Sequence, residues 1–300
     1  MHEHVVRPIA GPRLASTTTL LLAVFLVLWS SGSVATAIGL AYIDPWMFLF
    51  LRNVGTASVA WCVWLIRRDA FPRRAPQWRR VLTAGLLLQF AYQATFFLAI
   101  EAGIAPGLLA LIVATQPLLT AAITGERGRL VWVGIALGLV GLVIACLPEM
   151  VGAHSTPGGI VASCAALMAL TCATLVQSRN SGVGHWANLA LQSTAAMPVI
   201  AVILSTVRPP RPPSDPAALA PVAWMILVVG IMATSLLYHL VRTVNVVVVT
   251  FVQFLVPAVT AIMDFIVRNH YLPPATLIGM TVTIAALALM QYGRTRKRRP

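Results

Sequence analysis

Long apolar runs separated by short polar breaks fill nearly the whole of this 300-residue chain. They lie at roughly 17–38, 45–66, 81–101, 104–124, 130–147, 158–178, 186–207, 222–242, 244–266 and 275–292. A hydrocarbon core about 30 Å thick takes about 20 apolar residues per helix. Inside it the backbone must satisfy its own polar groups, which a helix does. The pattern therefore predicts an all-α integral membrane protein with ten transmembrane helices. Leu20–Trp29 followed by Ala35-Thr36-Ala37 also has the look of a cleavable signal peptide. The apolar run continues through that site and a second run follows at once, so the first run is read as a retained span.

Composition narrows the class. Apolar residues make up 59% of the chain and charged residues only 10%, and the mean hydropathy is +0.86. Soluble domains carry about 25% charged residues, so an ordinary soluble enzyme is excluded. The net charge is +13, which in a soluble protein would point to nucleic acid. Here the 21 Lys and Arg recur at helix ends, and all but Arg52, Arg208, Arg211 and Arg268 fall on one side of the predicted membrane. The positive-inside rule then places both termini in the cytoplasm, with 292–300 as a basic tail. Anionic lipid headgroups, not nucleic acid, are the partners those loops suit. Trp64, Trp78, Trp132 and Trp186 fall near inner helix ends and Trp46 and Trp224 near outer ones, as an interfacial belt requires. Preference for Arg over Lys, with abundant Ala, Gly and Pro, points to a bacterial plasma (inner) membrane. Cys62, Cys146, Cys164 and Cys172 lie in apolar runs with no metal-ligand spacing, so neither a disulfide framework nor a metal site is expected. No motif calls for a cofactor.

The chain also resembles itself. Thr115-Gln116-Pro117-Leu118-Leu119-Thr120-Ala121 in the fourth run matches Leu255-Val256-Pro257-Ala258-Val259-Thr260-Ala261 in the ninth. This divides the chain into two five-helix repeats, 16–147 and 158–291. Five is odd, so the second repeat enters the membrane inverted, an architecture of secondary transporters that bind substrate between the repeats. Pro117 and Pro257 each remove a helical hydrogen bond and become quasi-symmetric hinge candidates. Gly134, Gly138 and Gly141 have the small-residue spacing of helix packing. The outer stretch 208–213 (Arg-Pro-Pro-Arg-Pro-Pro) predicts a stiff extended spacer.

Polar residues inside spans are costly and mark candidate chemistry. Trp29, mid-span, has an indole N–H to satisfy and is expected to face a cavity or another helix. Arg52 lies about 10 Å into the second helix at 1.5 Å per residue, placed either to pair with Glu101 or to contact substrate. Ser33, Gln89, Tyr92, Gln93, Gln116 and Gln253 complete the substrate-binding candidates, with Gln89 and Gln93 expected on one face. Glu101, His239 and Asp264 are candidates for proton coupling, although Asp264 also stands four residues before Arg268, the spacing of a local ion pair. Together they describe a weakly polar, aromatic-walled cavity for a small zwitterionic or amphipathic solute.

The order of motifs resembles the EamA-type ten-helix members of the drug/metabolite transporter superfamily over nearly the whole chain. The likeness rests on Trp29-Ser30-Ser31-Gly32 with Ile38-Gly39-Leu40, Asp44-Pro45 and Arg52. It continues in Gly107 to Ile112, Gln116 to Ala121 and Gly125-Glu126-Arg127. Thr174-Leu175-Val176-Gln177 with Arg179, and Val256-Pro257 with Thr260-Ala261, complete it. The resemblance implies a secondary transporter, most plainly an exporter of a small metabolite, and fifth helices of each repeat that pack outside the path and support a homodimer. Two departures stand out: Arg268-Asn269-His270 replaces the family's second Gly-Glu break, and the stretch from Pro117 to Gly125 is about one turn short. A membrane sensor or assembly factor, or a membrane-embedded enzyme, would be the alternatives. Neither H-E-x-x-H nor G-x-S-x-G is present, so no enzyme is expected, and the absence of a phosphate-binding loop argues against ATP-driven pumping.

Overall fold

The computed structural model describes residues 12–104, 106–150, 156–180, 182–206, 215–244, 246–269 and 273–296. The proline-rich stretch 208–213, His270 and the last tail residues 297–300 lie outside them. Among the described residues there is no strand. The chain runs as α1 (Pro12–Gly39), α2 (Pro45–Arg67), α3 (Ala75–Glu101), α4 (Pro106–Ala114), α5 (Gln116–Ile123), α6 (Arg129–Met150), α7 (Pro157–Ser178), α8 (His185–Thr206), α9 (Pro216–Thr243), α10 (Val246–Arg268) and α11 (Pro274–Arg296). Among the described residues eight helices are long and apolar enough to cross a membrane, and Leu111–Ile123 and Pro274–Met290 are shorter apolar segments. Large apolar side chains such as Ile66, Val161 and Ile266 face outward, while Gln89, Gln116, Gln177, Asn188 and Gln192 are buried inside. That inside-out distribution suits a lipid surround, and the chain is an all-α, multi-pass membrane protein by its helices.

Helix starts follow a repeated local rule. Asp44, Thr156 and Asp215 each precede a proline, and each side chain accepts a backbone N–H of the first turn: Trp46 at 2.9 Å, Gly159 at 3.1 Å and Ala217 at 2.8 Å. The proline supplies a helical φ where no N–H is needed, and the cap satisfies an orphan donor, worth about 1 kcal/mol.

Packing brings α6 along α11, α2 against α8, α3 against α7 and α8, α1 against α9 and α10, α2 against α9, and α4 and α5 against α7. The α6–α11 contact is close because Gly141 and Gly279 face each other: a Cβ on Gly279 would sit 2.3 Å from the Gly141 carbonyl oxygen. Gly134 faces Ala286 and Met290 of α11, whereas Gly138 faces the Phe251 and Phe254 rings of α10. The three glycines of α6 thus serve two neighbours rather than one seam.

Two helices depart from α geometry along part of their length. α3 carries a π-helical turn at Leu86–Ala91 and α9 one at Met225–Ala233. Two others are interrupted before a proline: α4 stops at Ala114 and α5 begins at Gln116, and α10 passes through a 3-10 turn at Gln253–Leu255 before Val256-Pro257. Each proline therefore occupies the first turn of a new helical segment, where its missing N–H costs least, instead of kinking a continuous helix. Pro148 and Pro198 do lie inside helices, in α6 and α8.

Candidate functional site

Helical spacing builds the walls of a central cavity of about 340 Å³. On α1, Trp29, Ser33 and Ala37 recur every fourth residue and form one wall. On α3, Tyr92 and Phe96 form the next, one turn apart, with ring centroids separated by 6.1 Å. Val113, Ala114 and Gln116 enter at the α4–α5 break, Cys146 from α6 and Leu170 from α7. α10 supplies the longest stripe: Gln253, Val256, Pro257, Thr260, Ala261, Asp264 and Arg268. The volume falls at the small end of ligand sites, and the walls are mostly apolar and aromatic with a few polar groups.

Those polar groups are ordered. Thr174 donates its hydroxyl hydrogen to the Leu170 carbonyl at 2.7 Å, so its oxygen accepts from Gln116 Nε2 at 3.1 Å. Gln116 Oε1 then has no donor, and Gln253 Oε1 has none either. Two acceptor oxygens from α5 and α10, on residues that line the cavity, thus remain without a partner. At its other end Asp264 Oδ1 receives Arg268 Nη1 at 3.2 Å, the ion pair that the spacing predicts. Thr260 Oγ1 donates to the Ser30 carbonyl at 3.3 Å and ties α10 to α1.

The cavity collects Trp29, Ser33, Tyr92, Gln116, Gln253, Asp264 and Pro257 from the sequence candidates. Arg52, Gln89, Gln93, Glu101, His239 and Pro117 do not line it. Glu101 is exposed at the end of α3 and makes no ion pair with the buried Arg52; the expected Arg52–Glu101 pair is absent among the described residues. His239 is exposed, because helix phase turns its neighbour Tyr238 inward instead. Gln89 is buried and Gln93 half-buried. The π-helical turn that ends at Ala91 changes the phase between them, so the face that meets the cavity is Tyr92 with Phe96.

A second polar cluster lies between α7, α8 and α9. Asn180 Nδ2 donates to Asn188 Oδ1 at 2.6 Å, and Gln192 Nε2 to Gln177 Oε1 at 2.8 Å and Asn188 Oδ1 at 3.1 Å. Tyr238 donates its hydroxyl hydrogen to Gln192 Oε1. These side chains are all buried. Asn188 and Gln192, one turn apart on α8 with Asn180 and Gln177 just before the loop, were the signal available. Nearby, the Asp69 carboxylate accepts the backbone N–H of Trp186 at 2.7 Å and of Ala187 at 3.2 Å. Arg80 and Gln77 reach the carbonyls of Arg179 and Gly182, so the arginine-rich α2–α3 loop and the α7–α8 loop lie at one end of the bundle. Trp61, Trp64, Phe71 and Trp78 pack there ring on ring, making a packed cluster as well as a belt. None of the four cysteines is in a disulfide.

No protein-family model and no curated protein matches the chain. A solved structure described only as the crystal structure of a protein superposes with a TM-score of 0.79 over 95% of this chain and 99% of that one, at 20% identity. At that identity the likeness shows the fold alone.

Proposed function

We propose that this protein is a secondary transporter of the EamA type, carrying a small organic solute across a bacterial plasma membrane by alternating access, in the export direction. The observation that supports it most is the cavity, whose walls come from α1, α3, α5 and α6 on one side of the chain and α7 and α10 on the other.

In this reading α4 and α5 form one broken span, giving ten spans in two inverted five-helix repeats, 16–147 and 158–291. Several features support the repeat. The π-helical turns fall in the third span and the eighth, and the interruptions before Pro117 and Pro257 fall in the fourth and the ninth. Exchanging the repeats maps the α3–α7 contact onto α9–α1, and α3–α8 onto α9–α2; α2–α8 and α6–α11 map onto themselves. Gly125 ends α5 at φ +68° and Asn269 ends α10 at φ +54°. Asparagine tolerates the left-handed region far better than other side chains, so the break survives where the family's second Gly-Glu is missing.

The arginine-rich end of the bundle is taken as cytoplasmic, with both termini there. The buried amides of Asn180, Asn188, Gln177 and Gln192 then close that side, while the cavity extends toward Asp264 and Arg268 on the outer side. Rearrangement at the two proline breaks would open the inner side and close the outer. Of the proton-coupling candidates only Asp264 lines the cavity, so any proton exchange would run through it.

Untargeted mass spectrometry of medium and cell extract tests this reading, comparing wild type with Ser33→Trp, which fills the cavity. A compound enriched in the medium by wild type alone supports export and names the solute. An identical profile for the two, with both proteins present in the membrane, favours a sensor or assembly role.

A further inference from the structure

Arg52 is only 4% exposed, and its Nη1 has no hydrogen-bond partner. A guanidinium presents five N–H donors and no acceptor, and an unpaired buried charge is among the costliest things a membrane protein can hold. Its surroundings do not neutralise it. The six acidic residues whose side chains are described are engaged elsewhere or distant. Asp44, Asp69 and Asp215 cap helices, Glu126 accepts the Gly128 N–H, Asp264 holds Arg268, and Glu101 is exposed. The guanidinium is instead within electrostatic reach of the Tyr92 and Tyr238 phenols.

A second unmatched donor lies nearby, since Asn53, next to Arg52, donates Nδ2 to the Gln89 carbonyl at 3.5 Å. Gln89 is 2% exposed, its Nε2 has no acceptor, and its side chain lies against the Tyr238 hydroxyl. That hydroxyl gives its hydrogen to Gln192 and the Gln192 amide gives its own to Gln177 and Asn188, and no hydrogen bond joins any of them to Arg52 Nη1. Gln89 sits in the π-helical turn of α3, a geometry frequent at functional sites, and Tyr92 ends that turn and borders the main cavity.

We propose that Arg52 and Gln89, framed by Tyr92 and Tyr238, form a buried site for a small monoanion, apart from the main cavity. One fixed positive charge plus an amide donor suits a single negative charge on a compact group: a halide, or a carboxylate. The carboxylate could belong to a free ion or to an organic solute reaching past Tyr92. The site goes beyond the transport proposal, because anion binding can be read without any flux.

The test is thermal unfolding of the purified protein in sodium isethionate, whose anion is neither a halide nor a carboxylate, with chloride or formate replacing isethionate at constant ionic strength. The expected result is a saturable rise in Tm of about 5 °C at anion concentrations near 100 times Kd. Arg52→Gln should remove the dependence. Gln89→Glu, which places a carboxylate beside the guanidinium, should also be insensitive to added anion and should unfold in isethionate no earlier than wild type. A response to chloride as well as formate identifies a free-anion site; a response to formate alone identifies one for a carboxylate group. Either supports the proposal. Equal Tm in all three salts, or the same anion response in Arg52→Gln, overturns it. If Arg52→Gln does not fold, Gln89→Glu alone decides: an anion response kept at wild-type size contradicts the site.

Discussion

The Asp69 carboxylate receives the Trp186 backbone N–H at 2.7 Å, so a loop between α2 and α3 caps a helix more than a hundred residues away. Asp69 also takes the next N–H, of Ala187, and Gly184 lets it approach: a Cβ on that glycine would sit 2.3 Å from the Asp69 carboxyl carbon. The contact joins the first and second halves of the chain at the arginine-rich end. Asp69→Ala should destabilise the protein by about 1 kcal/mol, the usual value of a lost cap, seen as a lower unfolding midpoint. Asp69→Asn, which keeps an acceptor, should lose less. Equal losses for the two would mean the carboxylate acts by charge rather than by capping.

The close α6–α11 contact makes a sharper stability prediction. Gly279→Val would drive a branched side chain into the Gly141 carbonyl and the Ala145 backbone, and overpacking of this kind costs about 1–3 kcal/mol. Gly125→Val meets no atom within 4 Å at its Cβ and is strained only by its positive φ. Thermal unfolding should therefore show a large loss for the first and a smaller one for the second.

Asn269 ends α10 in the left-handed region, where a residue with a Cβ pays about 1–2 kcal/mol. Asn269→Gly should be neutral or slightly stabilising, and Asn269→Val should lower the midpoint. A stabilising Val would show that this end of α10 adopts another conformation in the membrane.

The free acceptor at Gln116 gives a functional prediction. Gln116→Leu removes both the Thr174 contact and the open Oε1, while Thr174→Val removes only the contact. If Oε1 meets the solute, solute efflux should fall about five- to thirtyfold in Gln116→Leu, since a lost hydrogen bond to a buried partner is worth about 1–2 kcal/mol. Thr174→Val should change efflux far less. Similar losses in both would assign Gln116 to packing.

Much of this architecture was readable because bilayers impose a coarse code. Apolar runs of helix length located most of the helices, and Asp44-Pro45 and Asp215-Pro216 stand at helix starts for local reasons of capping. Trp29, Ser33, Tyr92, Gln116 and Gln253 were recoverable as cavity residues because a polar or indole group in a span must face inward. Phase was less readable. α-Helical spacing puts Gln93 on the cavity face, and the π-helical turn at Leu86–Ala91 shifts it away; His239 has suitable chemistry, but its neighbour Tyr238 has the inward position. Asp69 was invisible because its partners are backbone groups of a distant helix. Cys146 and Leu170 reach the cavity only through tertiary packing, which no local pattern encodes.

Alternating access is tested most directly at Ser33, which is exposed to the cavity. In a background lacking Cys62, Cys146, Cys164 and Cys172, Ser33→Cys would be exposed to a membrane-impermeant thiol reagent in right-side-out and inside-out vesicles. Reaction from both faces is predicted, with Gln192→Ala, which loosens the buried amide cluster, speeding the reaction from the cytoplasmic face and slowing it from the outer one. Reaction from one face only, at a rate that Gln192→Ala leaves unchanged, would contradict a carrier.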